Sequence, residues 1–316
     1  MRVIAKSMDQ NRAGIWFGIA AYTAWGVLPL YWKLLQTIPA LEILAHRILW
    51  SFVFITLIVV ITGGWKALAT VLTNKKKLFL IFCCGFIISV NWFVYIFAVN
   101  TNHVIEASMG YFINPLVVVL LGVMVLKEKL SRWQLAALIL AASGVLVIAV
   151  QYGRIPWIAL FLAGTFALYG LIKKMIKIDP IAGLVLETFI VLPIALVFII
   201  NLEAGGAGAL NLAPILTKII LAGTGIITAI PLFLYAKGIE NTTFSMMGFL
   251  QYIAPSINLF LGVVIFKEYF SFYHFLSFCL IWAALAIFTL ANLGVLKESI
   301  MPQADEINKI KTPQRI

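Results

Sequence analysis

The sequence predicts an all-α membrane protein of ten transmembrane helices, arranged as two five-helix repeats of inverted topology. Three observations carry that prediction. Of the 316 residues, 63% are hydrophobic and only 11% are charged, against about 25% charged residues in soluble domains. The mean hydropathy is +1.06, too apolar to cover a water-soluble fold of this size. The apolar residues gather into ten runs, each near the roughly 20 residues a helix needs to cross the hydrocarbon layer. A shift of 140 residues then brings Pro, Gly, Lys-Glu and Ser of one half into register with the other.

The runs are 14–34, 42–62, 78–99, 104–126, 133–150, 156–172, 181–200, 215–236, 243–266 and 274–294. The first follows a basic, polar segment, and its length suits a span rather than a signal peptide, so no cleaved leader is expected. It carries Tyr22, Thr23 and Trp25, and its Gly14 and Gly18 allow a close helix neighbour. The second opens with PALEILAHRILW and holds Glu42, His46 and Arg47. The third holds Ser89, Asn91, Trp92 and Tyr95, and the fourth Glu106, Ser108, Tyr111, Asn114 and Pro115. The fifth is almost purely apolar. The sixth holds Thr165 and Tyr169, the seventh Glu187, and the eighth Thr224, Thr228 and Tyr235. The ninth holds Ser245, Gln251, Tyr252, Pro255, Ser256 and Asn258, and the tenth is again apolar. Runs five and ten are therefore expected at the periphery, with a polar cavity among the other eight. Connections 63–77 and 201–214 are the longest and read as loops. The organisation expected is a tail (1–13), a first repeat (14–150), a second repeat (156–296) and a polar tail (297–316).

Lys and Arg fix the expected orientation. With the N-terminus inside, 18 of the 23 basic residues fall on the inner side and four on the outer: Lys33, Arg154, Lys218 and Lys267. Arg47 lies within a span. Cytoplasmic loops retain Lys and Arg, so both termini are expected in the cytoplasm of a multi-pass protein of the cell (inner) membrane. The net charge of +11 has the same source, and nucleic acid is not an expected partner. The partners expected are the lipid bilayer, a small-molecule substrate and, as one candidate driving ion, protons. Cys83, Cys84 and Cys279 lie in apolar runs without metal or redox spacing, and no cofactor or metal is expected. Gly223-Thr-Gly225 mimics the start of a dinucleotide fingerprint but no strand precedes it.

Between 113–131 and 253–271, eight of 19 positions are identical, including Pro115/Pro255, Gly122/Gly262, Lys127-Glu128/Lys267-Glu268 and Ser131/Ser271. Five spans per half is an odd number, so equivalent segments face opposite sides. Inverted repeats recur in secondary transporters, where a midplane site opens to either side in turn. Pro115 and Pro255, each lacking a backbone donor, are candidate hinges. Ser and Thr within spans read first as helix–helix hydrogen bonds.

Ionisable groups inside a bilayer are costly and point to function. Glu42 and His46 are four apart and share a helix face, while Arg47 lies about 100° away and can snorkel to the outer surface. Glu187 has the same spacing from Pro180 as His46 has from Pro39; it is the repeat counterpart of His46 and the first candidate for carrying a proton. Glu106 is a second. With Tyr111, Asn114, Asn91, Tyr95, Gln251 and Tyr252, these residues are the candidate substrate pathway.

The stretches NWFVYIFAVN and EASMGYFINPLVVVLLGVMVLKEKLSRWQ closely resemble the RarD group of the EamA-type drug/metabolite transporter superfamily. PALEILAHRILWS and SMMGFLQYIAPSINLFLGVVIFKE look like further signatures of that group. The resemblance spans about 14–296 and implies a ten-helix, inverted-repeat permease of the inner membrane. It supplies no substrate and no binding motif. The function expected is secondary transport of a small metabolite or drug by alternating access, with export favoured, and not catalysis. The alternatives are a membrane-embedded enzyme, a lipid-handling protein, or a structural or regulatory membrane partner.

Overall fold

Peptide groups in a bilayer find no water and must be satisfied within the chain. Among the described residues the chain accordingly consists of helices and short connections. The computed structural model describes residues 2–296 apart from 102, 154, 266, 268–270, 293 and 294. Ten helical spans are long and apolar enough to cross a membrane. In order the helices are α1 (Arg2–Lys33), α2 (Ala40–Thr62), α3 (Trp65–Leu72), α4 (Lys75–Asn100), α5 (Val104–Met124), α6 (Arg132–Tyr152), α7 (Trp157–Ile176), α8 (Pro180–Ala204), α9 (Ala209–Leu212), α10 (Ile215–Asn241), α11 (Phe244–Leu250), α12 (Ile253–Phe260) and α13 (Phe272–Asn292).

Several boundaries differ from the sequence expectation. Helix α1 starts inside the segment expected as a tail, because Arg, Lys, Met and Gln all favour helix and no Pro precedes Pro29. The connection 63–77 contains α3, and α8 runs on to Ala204 before the short α9, so neither connection is a plain loop. Lys173 and Lys174, counted as loop residues, lie in the last turn of α7. The ninth run is broken: α11 ends at Leu250, α12 starts at Ile253, and a π turn occupies Leu261–Ile265. Pro255 has no N–H to offer the carbonyl of Gln251, and the helix yields there. Pro115 has the same chemistry, yet α5 runs through it unbroken. Of the two candidate hinges, only Pro255 stands beside a break. The tail 297–316 and Glu268 lie outside the described residues.

Packing interleaves the chain. The principal helix pairs join residues before 153 to residues after 156: α6 with α13, α5 with α7, α1 with α10, α2 with α8 and α10, α4 with α7 and α8, and α5 with α11. The main core gathers Tyr22, Tyr169, Tyr235, Phe244, Phe249 and Phe288. Helices α6 and α13 pack chiefly on each other, with Ser277 Oγ donating to the Gly144 carbonyl at 2.8 Å. Their outer faces are exposed, Leu146 at 60%, as expected of peripheral spans. Two further observations relate positions 140 apart. Lys127 and Lys267 both adopt the left-handed region, at φ 57° and 59°, and Tyr252 Oη donates to the Phe112 carbonyl at 3.3 Å.

Close approach depends on small residues. A Cβ added to Gly225 would lie 2.3 Å from the Trp50 carbonyl carbon, and Ser51 Oγ donates to the Gly225 carbonyl at 3.3 Å. Gly225 thus seats α10 on α2, while Gly223 faces Tyr31 of α1. At Gly14 the same Cβ would lie 2.8 Å from the Asn241 and Thr242 backbone, so the glycine pair of α1 does admit a close neighbour.

Gly225→Ala is expected to cost about 1–3 kcal/mol, since rigid backbone must move to admit the methyl group. Gly164→Ala, where a Cβ meets nothing within 4 Å, is expected to be neutral or to stabilise by up to about 1 kcal/mol. Thermal unfolding of the purified variants checks this; the reverse order would contradict the packing described.

Candidate functional site

Asn11 accepts from Thr242 Oγ1 at 2.6 Å, and Lys174 Nζ donates to the carbonyls of Ile239, at 2.7 Å, and Thr242. These contacts place the start of α1, the end of α7 and the end of α10 at one end of the bundle, called here the basic end. The opposite end is the far end.

Arg47 organises the first polar group, about 10 Å in from the start of α2 at 1.5 Å per residue. Its Nε donates to Thr228 Oγ1 on α10 at 3.0 Å. Its Cζ stands 4.9 Å from the Trp32 ring and 5.4 Å from the Trp92 ring, so α1, α2, α4 and α10 meet on one cation, which gains from both π faces. Tyr95 and Tyr111 meet edge-on beside it at 6.3 Å, within the field of the guanidinium. They remain 37% and 47% exposed, so the aromatic rim of this group reaches the protein surface. Arg47 does not snorkel to the surface as the sequence suggested, because aromatic rings and Thr228 hold it inside.

Glu187 organises the second group. It is 5% exposed, and Lys173, at 7%, pairs with it at 3.0 Å. Tyr169 Oη donates to the same carboxylate at 2.9 Å, and the lysine lies 5.1 Å from the Tyr169 ring. The pair lies in the wall of a cavity of about 320 Å³ at the basic end, with Lys174, Lys177, Glu240 and Gln10 also in the wall. The partner of Glu187 is thus a lysine from the last turn of α7, just past the run 156–172 expected as a span.

Between the two groups lies an aromatic partition. Trp25 packs on Tyr22, Phe166 and Tyr235 with centroids 5.5–6.1 Å apart, and Tyr235 stacks on Tyr169 at 6.4 Å. Trp25 precedes Trp32 by seven residues on α1, and Thr228 precedes Tyr235 by seven on α10. Each interval is about 10 Å of rise, which sets the partition two turns from Arg47 toward the basic end.

The other candidates serve elsewhere. Glu106 accepts from the Ile158 amide at 2.8 Å and from Tyr152 Oη at 2.9 Å, at the start of α7. Asn91 donates to the Leu162 carbonyl and Thr165 Oγ1, at 2.9 and 2.8 Å, and Asn114 to the Ala163 carbonyl at 2.5 Å. These three tie α4 and α5 to α7. Gln251 and Tyr252 are buried at the break between α11 and α12. Glu42 accepts from the Ala209 amide at 2.5 Å. His46 is fully buried near Glu203 and shares no partner with Glu187. Among the described residues several span hydroxyls, such as Ser143 and Thr188, donate to a carbonyl of their own helix, whereas Ser51 and Ser277 donate to a neighbouring one. Sequence reading missed Lys173, Trp32 and Glu203. The four-residue step from Tyr169 to Lys173, one helix face, was the available signal for the lysine.

Residues 12–150 match the EamA-like transporter family. The chain is 44% identical over 290 residues to the uncharacterised transporter YojE of Bacillus subtilis, covering 90% of this chain and 96% of that one. It is 41% identical to the RarD protein of Streptomyces exfoliatus, over 93% of each chain. The RarD protein of Escherichia coli K12 is 38% identical over 89% of this chain and 95% of its own. A solved crystal structure with 17% identity superposes on 91% of this chain and all of its own with a TM-score of 0.68, which shows a shared fold.

Lys173→Met or Glu187→Leu alone is expected to destabilise by about 3–5 kcal/mol, because each leaves an unpaired buried charge. The double variant is expected to recover much of that loss. A double-mutant cycle on thermal unfolding measures it, and strictly additive losses would count against a coupled pair.

Proposed function

Because the chain belongs to the EamA-like transporter family, within its RarD group, we propose that it is a secondary transporter that exports a small organic metabolite or drug by alternating access. The observation that carries this reading is the division of the polar interior. The Arg47 group, rimmed by the partly exposed Tyr95 and Tyr111, and the cavity at Glu187–Lys173 are separated along the bundle by the ring cluster of Tyr22, Trp25, Phe166 and Tyr235. A substrate crossing between them requires Tyr22, Trp25, Phe166 and Tyr235 to part, which is what alternating access demands of a gate.

Arg47 suggests the cargo. A guanidinium edged by Trp32, Trp92, Tyr95 and Tyr111 offers forked donors for a carboxylate and π faces for an aromatic body. The substrate class that fits is a small organic anion, an aromatic one best of all. Glu187 is the group through which protons couple to transport. Opening toward the basic end separates it from Lys173 or wets the pair, and its charge then depends on proton supply.

The halves are proposed to be inverted repeats. Matching left-handed backbone at Lys127 and Lys267 supports this, as does the packing, in which α5 with α7 mirrors α1 with α11 and α12. The basic end is proposed to face the cytoplasm with both termini, on the strength of its lysines.

In proteoliposomes screened with small organic acids, substrate-dependent proton movement is expected. Arg47→Ala is expected to cut uptake at least tenfold without loss of folded protein. Glu187→Gln is expected to flatten the pH profile of transport, and an unchanged rate and profile would remove the proton role.

A further inference from the structure

We propose that Glu42, His46 and Glu203 form a binding site for a divalent transition-metal ion, of which Zn²⁺ is the type, at the far end of the bundle. The site is independent of the transport reading. Glu42 and His46 stand four residues apart on one face of α2, and Glu203 comes from the last turn of α8. One ligand atom from each lies within 4.8 Å of the other two. An ion centred among them is then at most about 2.8 Å from each atom, and side-chain shifts of at most about 0.6–0.8 Å reach the 2.0–2.2 Å of zinc–nitrogen and zinc–oxygen bonds.

The histidine points to a ligand. His46 is 0% exposed, and neither ring nitrogen has a hydrogen-bond partner. Buried polar atoms are otherwise paired as a rule, and leaving one unpaired costs free energy. Both carboxylates are already held in place by backbone donors: Glu42 by the Ala209 amide at 2.5 Å, and Glu203 by the amides of Leu210 and Asn211 at 2.9 and 3.1 Å. Each oxygen keeps a second lone pair for a metal. One imidazole and two carboxylates make a nitrogen–oxygen donor set suited to Zn²⁺ or its neighbours rather than Mg²⁺ or Ca²⁺. Their two negative charges neutralise a divalent ion, which suits a low-dielectric setting. Bound there, the ion links α2 to α8 and, through the two glutamates, fixes 209–211 across the far end.

The sequence reading expected no metal. Glu42 and His46 were visible as a pair, but Glu203 lies 157 residues from His46 and only packing of α2 on α8 brings it in.

The test uses the full chain in detergent without a polyhistidine tag. Calorimetric titration with Zn²⁺ is expected to give one site per chain, and Co²⁺ to give a visible d–d absorption band. His46→Ala is expected to abolish the band and weaken Zn²⁺ binding at least tenfold. Glu203→Gln, which keeps one acceptor oxygen for the loop amides of Leu210 and Asn211 and loses the other, is expected to weaken Zn²⁺ binding at least tenfold while the metal-free protein still unfolds cooperatively. Absence of Zn²⁺ binding below 1 mM, or binding undiminished in both variants, would overturn the proposal. Protonation of His46 or an unpaired water at its ring predicts that overturning result.

Discussion

Helix starts expose amide groups that the helix itself cannot satisfy, and a bilayer offers them nothing. The tertiary structure rests on how this chain meets that constraint. Carboxylates reach across the bundle to helix starts elsewhere in the sequence. Glu106 takes the Ile158 amide at the head of α7. Glu128 takes the amides of Phe244 and Ser245 at the head of α11, at 2.6 and 2.8 Å, and the Ser245 hydroxyl at 2.6 Å. Glu42 takes the Ala209 amide. Each contact neutralises a buried charge against backbone donors and the positive end of the peptide dipoles. Each also joins one half of the chain to the other, as the interleaved packing requires. Glu187 is the exception. It takes a lysine and a tyrosine instead, side chains that can move apart without unravelling a helix end.

That difference divides the ionisable residues into anchored and adaptable charges. Carboxylates bound to backbone amides are anchored by covalent geometry. A carboxylate bound to a flexible ammonium beside a cavity can change partners. Arg47 shares this character, since cation–π contacts and one hydroxyl leave much of its donor fork unused. The two adaptable charges lie on either side of the aromatic partition. The anchored ones lie at the connections that hold the helices in place.

Small residues set how closely the helices approach. Gly225 against Trp50, and Gly144 against the Ser277 carbonyl, place backbones where no side chain fits. In a membrane, where lipid is as apolar as leucine, such close packing and buried hydrogen bonds replace hydrophobic sequestration as the source of helix association. The exposed apolar surfaces of α6 and α13 are consistent with that division: two scaffold helices turn lipid-compatible faces outward while the polar groups face inward.

Much of this was legible in the sequence. The ten spans follow from run length against bilayer thickness. The fifth and tenth runs, poor in polar atoms, pack chiefly on each other. Boundaries were less legible. Helix α1 continues beyond its apolar stretch because helix propensity does not depend on lipid, and Pro255 breaks its helix where Pro115 does not, although the sequence treats them alike. What the sequence by itself determined is local: which segments are helical, which face of each is polar, and which family the chain resembles. Only the tertiary structure decided which polar atoms meet. Lys173 pairs with Glu187, Arg47 is boxed by Trp32 and Trp92, and Glu203 approaches His46. The physical reason is that each pairing joins side chains on different helices, and interhelical distance depends on packing of whole surfaces rather than on spacing along the chain.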